Sequence, residues 1–125
     1  MSHGNKELGV LGERAAELYL LRQGYKIWFK NWRCRAGEID IIALDQSELV
    51  YVEVKTRYPG FVAKQLLFEN ITATKQKKLR RLSQIFELLT PRARSAKSRR
   101  IDVIGVILDP TLKKVVSIEH LKAQV

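Results

Sequence analysis

The chain has 125 residues, 46% hydrophobic and 29% charged, with a formal net charge of +10. That balance excludes a disordered chain and suits one domain with one core over residues 1–125. One cysteine, Cys34, and two histidines, His3 and His120, exclude a disulfide scaffold and the usual Cys/His zinc sites. No apolar run approaches the ~20 residues of a membrane span, and the N-terminus has no apolar segment of signal-peptide type. These features predict a cytoplasmic protein with no membrane partner.

Leu8, Leu11, Ala15 and Leu18 follow three-to-four spacing and predict a helix over 5–23 that stops at Gly24. Residues 25–32 read as a strand. Its Trp28, Phe29 and Trp32 lie among basic residues, which leaves two readings open: stacking on unpaired bases or ordinary core. Residues 38–44 and 49–57, rich in Ile and Val, predict two strands joined by the turn Asp45-Gln46-Ser47-Glu48. Residues 58–70, with Pro59-Gly60, read as a loop. Thr72 or Thr74 caps a helix to Leu89, with Leu79, Leu82, Phe86 and Leu89 inside and Lys75, Lys77, Lys78, Arg80 and Arg81 on its other face. Pro91 ends it, and 92–100 reads as an exposed basic loop. Strands over 101–108 and 115–118 come next, with His120 at the surface. The order α-β-β-β-α-β-β predicts an α/β fold with a mixed central sheet flanked by helices.

The positive charge is concentrated. Residues 55–100 hold 13 Lys or Arg against two acids, a surplus of +11 that leaves −1 for the rest. A concentrated surplus points to a polyanion, and nucleic acid is the expected partner.

The hairpin carries the chemistry. If its turn closes symmetrically, opposed residues have numbers summing to 93, so Asp40 faces Glu53 and Glu38 faces Lys55. Alternation puts Glu38 and Asp40 on the face that also carries Ile42, Leu44, Leu49 and Tyr51. Opposed like charges disfavour a sheet unless something compensates. Two carboxylates converging on one ion, completed by water and phosphate oxygens, is a usual setting for Mg²⁺. The plain alternative is an exposed hairpin with a Glu38–Lys55 pair, and it leaves Asp40 unexplained, because Asp is disfavoured within strands.

Acid, then Asp, then Glu-x-Lys on a hairpin resembles the PD-(D/E)xK nuclease superfamily. Within it, the chain resembles the bacterial YraN family, whose fold is similar to that of Holliday-junction resolvases. The matching stretches are 9–16 (GVLGERAA), 31–40 (NWRCRAGEID), 52–57 (VEVKTR), Lys75-Gln76 and 100–103 (RIDV). Where family members carry small residues after Thr-Arg, this chain has the bulkier 61–68 (FVAKQLLF). The resemblance implies a restriction-endonuclease-like fold, Asp40 and Glu53 as ligands of Mg²⁺ or Mn²⁺, Lys55 as the catalytic lysine and Glu13 as a further metal or water ligand. Gly9 and Gly12 would let the first helix pack closely enough to bring Glu13 in. Glu38 is left with two readings: a support behind the site, or a merely structural residue. Arg57, Lys75, Lys77, Lys78, Arg80 and Arg81 are the expected phosphate contacts. The implied activity is hydrolysis of DNA phosphodiesters, in branched or otherwise structured DNA. The alternative is a non-catalytic nucleic-acid-binding module on the same fold. RNA is the weaker substrate, because the similar tRNA-splicing endonucleases lack the Asp and Glu-x-Lys set. The resolvases act as dimers, although no apolar seam in the sequence demands a homodimer.

Overall fold

The computed structural model describes residues 2–59, 72–109, 111 and 113–123. Helix α1 (Ser2–Arg22) leads into strands β1 (Lys26–Cys34), β2 (Gly37–Asp45) and β3 (Glu48–Arg57). Helix α2 (Ala73–Leu89), a 3-10 turn (Pro91–Ser95) and strands β4 (Ser98–Asp109) and β5 (Lys114–Leu121) complete the order. The expected α-β-β-β-α-β-β order and α/β class hold. Most of the predicted 58–70 loop lies outside the described residues.

The strands form one mixed sheet in the spatial order β1-β2-β3-β4-β5. Every neighbouring pair is antiparallel except β3–β4, which is parallel. A parallel pair cannot be closed by a tight turn, and α2 lies on the connection between β3 and β4. Ladder partners in the β2–β3 hairpin run from Asp45–Glu48 to Ile41–Val52, so the expected sum of 93 is correct. Gln46 takes the left-handed conformation, φ 57°, that so short a turn requires.

Each sheet face has its own core. Leu8, Ala16 and Leu20 of α1 pack on Ile41, Val50, Val52, Ile104 and Val106. Leu79, Leu82 and Phe86 of α2 pack on Ile39, Ile42, Leu49, Tyr51 and Ile101. The α1 seam therefore advances by whole turns through Leu8, Gly12, Ala16 and Leu20, and the expected buried position Leu18 is 47% exposed instead. Leu89, expected inside α2, is 67% exposed because the buried stripe ends at Phe86. Thr72 is the cap: its hydroxyl accepts the Lys75 N–H at 3.1 Å.

Gly12 sets how closely α1 approaches β3. A Cβ built there would lie 1.9 Å from Thr56 Oγ1, whereas at Gly9 nothing lies within 4 Å. Of the two glycines expected to allow close packing, only Gly12 does so. Of the β1 aromatics, Trp28 and Trp32 are half-buried against the α2-side cluster while Phe29 is exposed, and the Phe29 and Trp32 rings each lie 5.5 Å from Phe86 in edge-on contacts. Cys34 is a free, half-buried thiol on the same cluster.

The stretch 92–100 departs from the expected loop. Pro91–Ser95 forms a 3-10 turn, and β4 already begins at Ser98. Arg100 is drawn inward by carboxylates: its guanidinium meets Asp102, Asp45 and Glu48, and its side chain is 11% exposed. His120, expected at the surface, is also inside, with a side chain 5% exposed. Its Nε2 lies 2.7 Å from Asp102 Oδ2 and its Nδ1 lies 3.0 Å from the Tyr19 hydroxyl. An ionised Asp102 only accepts, so Nε2–H donates to it.

Candidate metal and nucleic-acid site

Asp40 stands where β2 parts from β3. The last ladder pair is Ile41–Val52. One step further, Asp40 Oδ2 accepts the Val54 N–H at 2.8 Å, so a carboxylate takes the place of a strand partner. Alternation breaks at the same point. Ile41 packs on the α1 side, yet Ile39 and Ile42 both pack on the α2 side. The expectation that Asp40 shares a face with Ile42 and Leu44 therefore fails. Its side chain borders a hollow of about 150 Å³ beside α1, together with Glu13 and Asn31.

Glu53 lies on β3, where residues of the same parity face α2. Its Oε1 is 3.8 Å from Lys55 Nζ and 3.3 Å from Lys75 Nζ, the latter from the first turn of α2. These side chains are only 18%, 11% and 34% exposed. Carboxylates thus approach the end of the β2–β3 ladder from two sides, Glu13 and Asp40 from the α1 side and Glu53 from the α2 side.

Electrostatics mark the same place. Burial pushes the Asp40 carboxyl up to about 7, against the Val54 hydrogen bond, and Glu53, Glu13 and Glu38 push it further. Glu13 is raised by burial first and then by Glu38, although its hydrogen bond with Asn31 opposes this. Lys55 is lowered to about 8, chiefly by burial and then by Lys75, while Glu53 acts the other way. A raised carboxyl among other acids is a pattern common at functional sites, and the lowered Lys55 belongs with Glu53 and Lys75.

The remaining expected residues lie around this centre at differing distances. Glu38 pairs with Arg33 Nε across the β1–β2 ladder rather than with Lys55. It reaches the site only through its field on Asp40 and Glu13. Arg57 is half-buried and borders a second hollow with Glu13 and Val54. Lys77, Lys78 and Arg81 are exposed and border a depression on one flank of α2, while Arg80 lies on the other flank with Gln84 and Arg99. Lys75 belongs with the acids as much as with the basic face. Sequence reasoning missed Asn31, which holds Glu13 and takes a left-handed backbone at φ 53°. Asn is among the few residues suited to that conformation, which was the available signal.

Among the described residues, no group of three or more His, Cys, Asp or Glu side chains is close enough together to hold a metal ion. A cation here would have carboxylates singly or in pairs. Mg²⁺ is commonly held by one or two carboxylates and keeps water and phosphate oxygens for the rest. Asp40 and Glu53 are the two carboxylates nearest the end of the ladder, one on each side of it, and the Asp40 carboxyl is raised chiefly by its burial.

Comparison with known proteins bears on this site. The model of the uncharacterised protein family UPF0102 matches residues 12–106. The chain belongs to the UPF0102 family. A UPF0102 protein of Chloroflexus aurantiacus is 40% identical over 121 residues, 96% of this chain and 93% of the relative. One from Geobacter sulfurreducens is 42% identical over 122 residues, 96% and 89% of the two chains. One from Clostridium botulinum is 39% identical over 122 residues, 98% and 96%. The YraN resemblance read from the sequence is this same family. The UPF0102 match opens at Gly12-Glu13 and spans Asp40, Glu53, Lys55 and the basic face of α2.

Proposed function

We propose that this UPF0102 member is a divalent-metal-dependent nuclease that hydrolyses phosphodiesters in DNA, branched or otherwise structured. The observation that carries the reading is Asp40. It is a largely buried carboxyl held by the Val54 N–H at 2.8 Å, in the field of Glu53 and Glu13, and Lys55 lies 3.8 Å from Glu53.

In this reading Asp40 and Glu53 hold Mg²⁺ or Mn²⁺, and Glu13 binds the ion or its water. When bound, the ion supplies positive charge to the phosphate and makes a neighbouring water more acidic. Lys55, with a pKa of about 8, spends part of its time neutral at mildly basic pH and can orient or deprotonate the attacking water. Lys75 steadies Glu53 at 3.3 Å. Arg57, Lys77, Lys78, Arg80 and Arg81 take the phosphate backbone, which fixes position without reading sequence. A cytoplasmic location and a homodimer belong to this reading.

The test is cleavage of a labelled four-way DNA junction, beside linear duplex, single-stranded DNA and RNA, with Mg²⁺ or Mn²⁺. Glu53→Ala serves as the control for contaminating nucleases. Cleavage by the wild type that the variant loses supports the nuclease, and its ranking of lanes names the substrate. Binding with no cleavage in any lane supports a second reading, a non-catalytic nucleic-acid-binding module. One observation favours that module: Lys55 and Lys75 already neutralise the Glu53 carboxylate.

A further inference from the structure

The opposite flank of α1 from Glu13 carries a second feature. A groove of about 510 Å³ runs between α1 and the β4–β5 hairpin, floored by Leu11, Leu18, Tyr19, Val115 and Ile118. Leu18 and Val115 are 47% and 45% exposed. A register shift between Ile107 and Leu108 pairs Leu108 with Val115, which turns Val115 toward the groove.

The rim is basic. Arg14, Arg22 and Lys113 border it, and Lys113 pairs with Glu7 at 3.8 Å, both side chains exposed. Glu13 and Glu17 line the hollow on the helix's other flank, and Arg14 stands between the two and borders both. β5 is the last strand of the sheet, and among the described residues nothing pairs with its outer edge. An unpaired edge beside side-chain pockets is the arrangement by which extended peptides add to sheets.

Charge chooses between occupants. A second copy would bring Arg14, Arg22, Lys113 and Lys114 against their own counterparts, on chains of net charge +10 each. Nucleic acid would have to cover an apolar floor, while the exposed cations of α2 lie on the opposite face of the sheet. We propose that the α1–β5 groove docks an extended segment of an acidic partner protein. The segment pairs with the outer edge of β5, seats alternate apolar side chains on Leu18, Tyr19 and Val115, and meets Arg14, Arg22 and Lys113 with carboxylates. The inference stands apart from the nuclease reading and uses none of its residues.

The test uses a fluorescein-labelled peptide, Asp-Asp-Leu-Thr-Val-Thr-Leu-Asp-Asp, titrated with the full chain and read by anisotropy. A control peptide carries Lys at the four Asp positions. The acidic peptide should bind, and its affinity should fall several-fold from about 50 to about 200 mM salt, because the rim charges are exposed. Leu18→Glu should weaken it at least tenfold, with nucleic-acid affinity and melting temperature unchanged. Arg22→Glu, on the rim, should reproduce the loss should Leu18→Glu fail to fold. Equal binding of the Lys-ended peptide, or no effect of either variant, overturns the proposal. So does a dimer in sedimentation that Leu18→Glu disperses, which would make a second copy the occupant. Loss of nucleic-acid affinity in either variant would assign the groove to nucleic acid and overturn it equally.

Discussion

Two aspartates show how differently burial acts on the same side chain. Asp40 is raised to about 7 because it is buried among acids with one backbone donor. Asp102 is fully buried, yet its pKa is lowered, because His120, both hydrogen bonds from Arg100 Nε and the Ala123 N–H outweigh burial. The signs of their pH dependence are opposite. For Asp40, the unfolded chain gives up its proton first, so stability present below the ordinary carboxylate range is lost as pH rises to about 7. Asp40→Asn should then leave stability nearly unchanged at about pH 4. At about pH 8, with divalent ions chelated, it should raise it by about 1–3 kcal/mol. Urea denaturation at the two pH values checks this, and parallel pH dependence in variant and wild type would contradict it. For Asp102, the stabilisation is present above the ordinary carboxylate range and lost as pH falls through its lowered value. Asp102→Ala leaves Arg100 and His120 without their shared partner. It should cost about 3–5 kcal/mol at neutral pH, read from the same denaturation curves.

At the scale of elements, the approach of α1 to β3 decides whether Glu13 can take part. The helix rests on Thr56 through Gly12, with no room for a methyl group. Gly12→Ala gains about 1 kcal/mol in helix propensity, but it must push α1 away from the strand, which costs about 1–3 kcal/mol. The net expectation is a lower melting temperature together with weaker Mn²⁺ binding, because Glu13 moves with the helix. Gly9→Ala meets nothing, so only the propensity gain remains and the melting temperature should rise. Calorimetry on the two variants separates them. Identical shifts would mean that the contact with Thr56 does not limit the packing.

For the whole molecule, the cations behind the +10 charge divide between those paired inside and those exposed. Arg100 is engaged inside by Asp102, Asp45 and Glu48, and Arg99 by Glu87. Lys77, Lys78, Arg80 and Arg81 are exposed and have no ion pair among the described residues. In the proposed function they are the cations that meet the polyanion. Replacing all four by Gln should weaken binding of duplex DNA by at least tenfold at low salt. It should also reduce the slope of log affinity against log salt by up to about 0.9 for each phosphate that is no longer neutralised. An unchanged slope would mean that this face meets only solvent. Glu53→Ala should leave that slope nearly intact while removing divalent-ion binding, which calorimetric titration with Mn²⁺ checks.

Local pattern determined much of this protein. Periodicity and punctuation marked both helices and all five strands, and the even loop at 45–48 set the hairpin register from Asp45–Glu48 to Ile41–Val52. Short-range rules suffice there, because alternation and turn length act within one hairpin. The effects of partners distant in sequence were not legible. Asp40 left its expected face because β2 and β3 separate beyond Ile41–Val52. Lys75 joined the acids because α2 begins beside Glu53. Arg100 and His120 moved inside because the Asp102 carboxylate accepts from both, His120 at Oδ2 and Arg100 Nε at either oxygen. A charged or titratable side chain goes where its partners are. Those partners lie as many as 101 residues away, as between Tyr19 and His120, a distance that no local period encodes and only the folded chain closes.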